Sequence, residues 1–184
     1  IFPVRMEVDY VRVYKKDESL NDLIDGPAEV VPYAAGVRFS PQVLNAESLD
    51  WTLPDGAELI AQKTESSILV NWGCQAGDVI LRAMVNGQEL TDTLSVGIKE
   101  NAIRGDLFWN DNGTPLQVRV ESQHQTTYTW EVPAAATISS GQNSPELTVD
   151  WGTLEGTVNL TIENSCGTSG VSRPVLDPTG QYPY

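Results

Sequence analysis

Apolar and polar residues alternate in several short segments of this chain. In the segment 49–53, Leu49, Trp51 and Leu53 share one face. A period of two is that of a β-strand with one buried and one exposed face. The same pattern recurs at residues 68–72, 128–132 and 147–151. No stretch combines a helical period with helix caps, so the pattern predicts an all-β fold of short strands.

These alternating segments occur twice in the chain. Residues 49–81 align without a gap with residues 128–160, at an offset of 79 positions. The two stretches share Trp, Pro, Gly and aliphatic residues in register: Trp51/Trp130, Pro54/Pro133, Ala57/Ala136, Val70/Val149, Trp72/Trp151, Gly73/Gly152, Gly77/Gly156, Val79/Val158 and Leu81/Leu160. This similarity indicates a tandem duplication. A unit of about 80 residues is large enough to fold by itself.

Each unit is predicted to be a β-sandwich. Asn86-Gly87 lies between two strand-like segments, and this pair tolerates the positive φ values of a two-residue hairpin. Short strands separated by frequent turns are typical of sandwiches. Trp51 and Trp130 hold the place of the central-strand Trp of an immunoglobulin-like core. Trp72 and Trp151 are expected to be core residues as well, although each lies at a strand end before a glycine.

The units resemble PKD-like domains, an immunoglobulin-like family. The resemblance rests on "YTWEVP" at 128–133, "LTVDWG" at 147–152 and "NSCG" at 164–167, and the first copy departs from it at the first and last of these stretches. It implies two tandem sandwiches, at 28–104 and 105–178. It also implies extracellular scaffolding or spacing, sometimes ligand binding, and no catalysis.

The opening segment, "FPVRMEVDYVRVY" at 2–14, resembles the last strand of a glycoside hydrolase family 16 domain, a laminarinase-type jelly roll. The resemblance implies that residues 1–16 are an orphan strand of a truncated domain. Residues 17–27 would then be an acidic linker, and residues 179–184 the start of a linker to another module. On this interpretation the chain is a C-terminal fragment of a multimodular protein.

The formal net charge is −14 and the sequence pI is about 4.2. Such a surface repels nucleic acid, and we expect a soluble monomer. No apolar run of the length that a membrane span needs occurs in the sequence. The family resemblances place the protein outside the cell or on a bacterial cell surface.

The sequence offers little catalytic or metal-binding chemistry. Family 16 enzymes use an E-x-D-x-x-E strand, and here Glu7 and Asp9 are followed by Arg12 at the sixth position. Asp9 instead resembles a structural Ca²⁺ ligand of that family, whose co-ligands would lie in the missing domain. We therefore expect no catalytic residue, no cofactor and no required metal, although Ca²⁺ binding stays possible. His124, the single histidine, falls in a polar connection between strands.

The two cysteines, Cys74 and Cys166, are expected to be reduced. The repeat places them at non-equivalent points of different sandwiches, and a disulfide requires the two Cα atoms to lie within about 7 Å. A buried thiol is the expected state of Cys166.

Trp109 is the one Trp without a Trp partner in the repeat, and polar turn residues follow it. Together with Asn110, Asp111 and Asn112 it could form a sugar-binding platform. The alternative is that Trp109 packs between the sandwiches.

Two functions follow from these patterns. The first is a non-catalytic spacer in a β-glucan (laminarin)-active protein, whose full-length form could be an endo-β-1,3-glucanase. The second is a carbohydrate-binding module that recognises β-glucan itself.

Overall fold

The computed structural model describes residues 22–63, 67–106, 108, 114–152 and 155–176. The predicted opening strand at 1–16, Asp9, the C-terminal linker at 179–184 and the platform residues Trp109, Asn110, Asp111 and Asn112 lie outside the described residues.

The described residues form strands joined by turns and irregular segments. The strands are β1 Ile24–Asp25, β2 Glu29–Val30, β3 Val37–Pro41, β4 Ser48–Thr52, β5 Glu58–Lys63, β6 Ser67–Asn71, β7 Gly77–Val85, β8 Gln88–Ile98, β9 Arg104–Gly105, β10 Leu116–Arg119, β11 Thr127–Glu131, β12 Thr137–Ser140, β13 Glu146–Asp150, β14 Gly156–Asn164 and β15 Gly167–Val175. The predicted all-β class is confirmed.

The strands build two sandwiches, one after the other. In the first, which we call unit 1, a sheet of order β1-β3-β6-β5 packs against a sheet of order β2-β8-β7-β4. In the second, unit 2, a sheet of order β9-β10-β13-β12 packs against the sheet β11-β14-β15. The order in unit 2 is that of an immunoglobulin-like sandwich, in which the first, second, fifth and fourth strands face a sheet of the others. Unit 1 has the same order, with the short strand β2 added to the second sheet.

The duplication is visible in the strand register. Trp51 pairs with Leu81 in unit 1, and 79 residues later Trp130 pairs with Leu160 in unit 2. The parallel pair Glu29↔Gly97 likewise corresponds to the parallel bridge Phe108↔Leu176. The two copies therefore share one topology as well as a sequence pattern.

The predicted hairpin at Asn86-Gly87 is confirmed. It joins β7 to β8, and its two residues have φ values of 51° and 73°. Both angles lie in the left-handed region that Asn and Gly tolerate best. In unit 2 the equivalent hairpin joins β14 to β15 and contains Cys166.

Each sandwich has its own hydrophobic core. Trp72, Trp130 and Trp151 are buried, with 0%, 2% and 5% of their surfaces exposed. Trp51 differs from the expectation of equivalence, because it is only partly buried at the margin of the first core. Its strand β4 is an edge strand, but so is β11, which carries the buried Trp130, and the edge position therefore does not explain the difference.

The domain boundaries also differ from those predicted. Leu23 and Ile24, assigned to an acidic linker, are buried in the first core, and β1 pairs with β3. Ile103, assigned to the first sandwich, is buried in the second core, and Arg104 pairs with Arg119. The linker prediction followed the acidic residues and overlooked the two apolar residues beside them.

Candidate functional site: the junction between the two sandwiches

Unit 1 and unit 2 meet through four loops and one connecting segment. Unit 1 contributes residues 31–36, after β2, and 72–75, after β6. Unit 2 contributes residues 120–126, between β10 and β11, and the β14–β15 hairpin. Residues 99–103 connect the units. We call this contact region the junction.

The backbones of the two units pair directly at the junction. Ala34 and Gln123 form an antiparallel β-bridge. The Ala35 N–H donates to the Ser122 carbonyl at 2.9 Å, and the His124 N–H donates to the Tyr33 carbonyl at 2.9 Å. Because backbone hydrogen bonds need a fixed separation and orientation, this pairing limits how one sandwich can rotate on the other.

His124 lies at the centre of the contact. Its ring stacks on Tyr33, with ring centroids 4.2 Å apart and planes 5° from parallel. Its Nε2 lies 2.9 Å from the Trp72 carbonyl oxygen. A carbonyl oxygen only accepts, so Nε2 carries the proton and donates. The polar connection predicted for His124 is thus part of a domain interface.

Gln123 is a buried polar residue of the junction, 5% exposed, and its polar groups have partners. Its side-chain Nε2 donates to Asn101 Oδ1 at 2.8 Å, and its Oε1 accepts from Asn164 Nδ2 at 3.1 Å. Its backbone N–H donates to the Tyr128 hydroxyl at 2.8 Å. Through these three bonds Gln123 links the connecting segment, the β14–β15 hairpin and the second core.

Tyr128 is buried beside this amide. Burial raises the pKa of the Tyr128 hydroxyl above its ordinary value, and the hydrogen bond with the Gln123 backbone opposes part of that rise. The hydroxyl therefore stays protonated, and it donates its proton to the Gln123 carbonyl oxygen at 3.3 Å.

Cys74 and Cys166 form a disulfide across the junction, with Cα atoms 5.4 Å apart. The expectation of two reduced thiols, one of them buried, is wrong. Cys74 follows β6 at the end of unit 1 that faces unit 2, and we call such an end of a sandwich its pole. The exposed Cys166 lies in the β14–β15 hairpin, at the facing pole of unit 2. The two positions are not equivalent within the repeat, but end-to-end stacking makes them neighbours.

The connecting segment is held at its start. The Lys99 N–H donates to the Val30 carbonyl at 2.9 Å, and Lys99 Nζ lies 2.6 Å from Glu121 Oε1. The two side chains are 31% and 39% exposed, so the ion pair contributes at most about 1 kcal/mol. The backbone bond is the firmer restraint on the segment.

Two open grooves flank the junction, with volumes of about 400 and 330 Å³. The first lies beside Asn101 and Gly170, and the second beside Arg38 and Glu121. No aromatic ring lines either groove among the described residues.

The described residues contain no group of three or more His, Cys, Asp or Glu side chains that could hold a metal ion. In the same residues no helix is long and apolar enough to cross a membrane. The junction residues form structural bonds with one another, and both sulfur atoms are consumed in the disulfide. These contacts join the two sandwiches through backbone pairing, a ring stack and a disulfide. Sequence reasoning missed them because no local pattern marks a contact between loops so far apart in the chain.

Comparisons with known proteins found a matching family model and a set of distantly similar solved structures. Residues 99–175 match the family model described as a PKD-like domain. No curated protein matches the chain by sequence. Among solved structures, a chimeric titin Z1Z2 carrying a decorin peptide is 15% identical with a TM-score of 0.34, covering 85% of this chain and 96% of that one. Extracellular domains 3–5 of Drosophila OTK are 14% identical with a TM-score of 0.30, covering 80% of this chain and 57% of that one.

The family match begins at the connecting segment and ends with β15, so it covers unit 2 and the residues that enter it. Unit 1 has the same strand topology and register but lies outside the matched range. Residues 99–175 of this chain are therefore similar to a PKD-like domain, and the strand order of unit 2 is that of an immunoglobulin-like sandwich.

Proposed function

We propose that this chain is a rigid, non-catalytic spacer of an extracellular or surface-attached protein that acts on β-glucan. The observation that carries the spacer role is the junction. Backbone pairing, the Tyr33–His124 stack and the disulfide restrain the same interface. Domains joined only by a linker move relative to one another by default, so this set of restraints indicates that a fixed angle matters.

The extracellular setting is supported by the disulfide. Disulfides persist in oxidising compartments and are rare where thiols are kept reduced. PKD-like and other immunoglobulin-like domains are also typical of extracellular proteins and are typically non-catalytic. The β-glucan context is supported by the resemblance of residues 2–14 to the closing strand of family 16 domains.

The spacer role is tested by the distribution of angles between the units. Residual dipolar couplings measured on the oxidised chain should give one alignment tensor for both sandwiches, since a single rigid body aligns as one. Small-angle scattering should give one elongated shape. Two tensors of clearly different magnitude would show independent domains and would overturn the spacer role.

A second candidate is sugar binding through Trp109, Asn110, Asp111 and Asn112. The observation that favours it is the neighbouring Phe108, which is 50% exposed although its backbone pairs with Leu176. One stacked ring contributes about 1–2 kcal/mol and gives only weak affinity. Several linked modules would raise that affinity.

Affinity electrophoresis in gels containing laminarin tests this candidate. Binding predicts retardation of the chain that Trp109→Ala abolishes, with the melting temperature unchanged. The control Leu44→Ala, at an apolar residue of unit 1 that is 85% exposed, keeps the retardation. If Trp109 packs between the sandwiches, its replacement lowers the melting temperature instead. Absence of retardation in the parent chain excludes the platform and leaves the spacer.

A further inference from the structure

The disulfide joins two points that are 92 residues apart in sequence, one in each sandwich. The chain therefore contains a covalent loop from Cys74 to Cys166. That loop includes β7 and β8 of unit 1, the connecting segment, and β9 to β14 of unit 2. Outside it lie β1 to β6, before Cys74, and β15, after Cys166.

Tension applied to the two ends of the chain follows the shortest covalent path. It enters through β1, reaches Cys74, crosses the disulfide to Cys166 and leaves along β15. The connecting segment at 99–103 lies within the loop, so it carries no tension once the outer path is taut. The loops on each side of the junction are held together by the same crossing, because the Cα atoms of the two cysteines are 5.4 Å apart.

We propose that the disulfide is a mechanical shortcut: it carries tension past the connecting segment and most of unit 2, and it keeps the junction closed while the chain is stretched. The proposal rests on the spacer function above, because only a spacer held at both ends experiences tension.

The position of β15 supports this reading. In unit 2 it is the one strand outside the loop, and it pairs with β14 along nine residue pairs, from Gly156↔Val175 to Asn164↔Gly167. Its last residue, Val175, is fully buried in the second core. Tension that leaves Cys166 therefore has to strip a long, anchored strand before anything in unit 2 lengthens.

The junction contacts lie beside the shortcut, and each joins a residue between β1 and Cys74 to a residue within the covalent loop. The Ala34–Gln123 bridge and the Tyr33–His124 stack involve loops next to the two cysteines. If the two units were joined only by the connecting segment, stretching the chain would place tension on these contacts first. With the crossing in place they open only if the disulfide is reduced or the sandwich behind Cys74 unfolds.

Single-molecule stretching of the full chain between handles at its two ends tests the proposal. Oxidised protein should reach a final extension shorter than that of protein reduced with dithiothreitol by about 300–330 Å, since 92 steps of about 3.3–3.6 Å are withheld. In the reduction, dithiothreitol thiolates attack the disulfide, the reagent is oxidised to its cyclic disulfide, and both cysteines leave as thiols. Thiol titration in denaturant verifies the state of each sample.

The variant Cys166→Ser should show the longer extension with or without reductant, and the neighbouring control Ser165→Ala should behave like the parent chain. If the variant fails to fold, the comparison of oxidised and reduced parent chain still decides the question. Equal final extensions for the two forms, with the disulfide verified chemically, would overturn the proposal.

The outcome is separable from that of the spacer function. A 300–330 Å difference together with two independent alignment tensors at rest would keep the shortcut and reject the rigid spacer. Equal extensions with a single tensor would reject the shortcut and keep the spacer.

Discussion

At the scale of single residues, Trp51 and Trp130 occupy equivalent positions in unequal surroundings. The Trp130 indole is 2% exposed, and its Nε1 donates to the Ser144 carbonyl at 2.8 Å. Trp51 is only partly buried, although both residues lie on edge strands. The same residue type in the same repeat position therefore contributes differently to the two cores.

We expect Trp130→Ala to lower the free energy of unfolding by about 3–5 kcal/mol, because it opens a large cavity and leaves the Ser144 carbonyl without its donor. Trp51→Ala should cost clearly less, because part of that indole is already in water. Chemical denaturation of the two variants and the parent chain checks this. Equal losses in the free energy of unfolding would show that the difference in burial does not affect stability.

Tyr128 gives a prediction about alkaline stability. Its pKa in the folded chain is raised above the ordinary value of 10.0, chiefly by burial. The folded state therefore holds this proton longer than the unfolded state does. The stability linked to that proton is fully present below pH 10 and is lost as the pH rises through the raised pKa.

We expect the melting temperature of the parent chain to fall above pH 10 more steeply than that of Tyr128→Phe, which has no proton to lose at this site. At neutral pH the Phe variant should be less stable by about 0.5–1.5 kcal/mol, since the Gln123 N–H loses its acceptor. Comparing the two proteins removes the contribution of the other tyrosines. Parallel alkaline profiles would contradict the expectation.

At the scale of strands, the repeat preserves one close contact between a strand start and a proline. A Cβ at Gly156 would lie within 3.0 Å of Pro133 Cγ, and a Cβ at Gly77, 79 residues earlier, would be similarly close to Pro54. Neither glycine has a positive φ. A glycine is therefore needed at each position because a side chain would not fit, and not because of the backbone conformation. This explains why the Gly and Pro residues of the two copies match.

Gly156→Ala should destabilise unit 2 by about 1–3 kcal/mol, because β14 would have to shift away from Pro133. Gly170→Ala on the neighbouring strand β15 is the matched control, since an added methyl there meets nothing within 4 Å. Thermal melts of both variants measure the difference. An equally large loss for the control would assign the effect to strand flexibility instead.

Several strands and one hairpin were predictable from the sequence. Period-two alternation located β4, β6, β11 and β13, and the Asn86-Gly87 pair located a hairpin, because these signals are local. The short strands β1 and β9 were missed, since two residues carry no periodicity. The junction was missed for a different reason: its contacts join loops that are far apart in the chain, and only the stacking of the units brings them together.

At the scale of the whole molecule, the disulfide lies where immunoglobulin domains do not place theirs. In antibody domains a disulfide joins the two sheets of one sandwich. Here both sandwich interiors are closed by apolar side chains alone, and the cross-link joins one sandwich to the next. In the chain-entropy model a loop of this length stabilises the folded state by about 4–5 kcal/mol, and that gain is shared by both units.

The separate contacts of the junction should consequently be redundant in fixing the relative orientation of the units. His124→Ala removes the stack on Tyr33 and the bond to the Trp72 carbonyl. In oxidised protein we expect little change in the relative orientation of the units, because the disulfide and the backbone bridge remain. In reduced protein the same substitution should let the units reorient, which residual dipolar couplings would detect as two alignment tensors.

Gln125→Asn is the control, because the neighbouring exposed position has a φ of 48° that Asn also tolerates. Reorientation in the oxidised His124→Ala protein would show that the ring contact, and not the cross-link, sets the angle.

A tandem of similar domains can polymerise if the contact between the domains also forms between molecules. The contact between the units is heterologous, one pole against the opposite pole, and such a contact can be repeated from molecule to molecule into an open filament. Repetition would require each outer pole to carry the groups of the inner one. It does not: the positions 79 residues away from Tyr33, Cys74, His124 and Cys166 are occupied by Asn112, Thr153, Asn45 and Gly87. Each half of this contact exists once in the given sequence and is already occupied by the other, so this contact does not repeat from one molecule to the next.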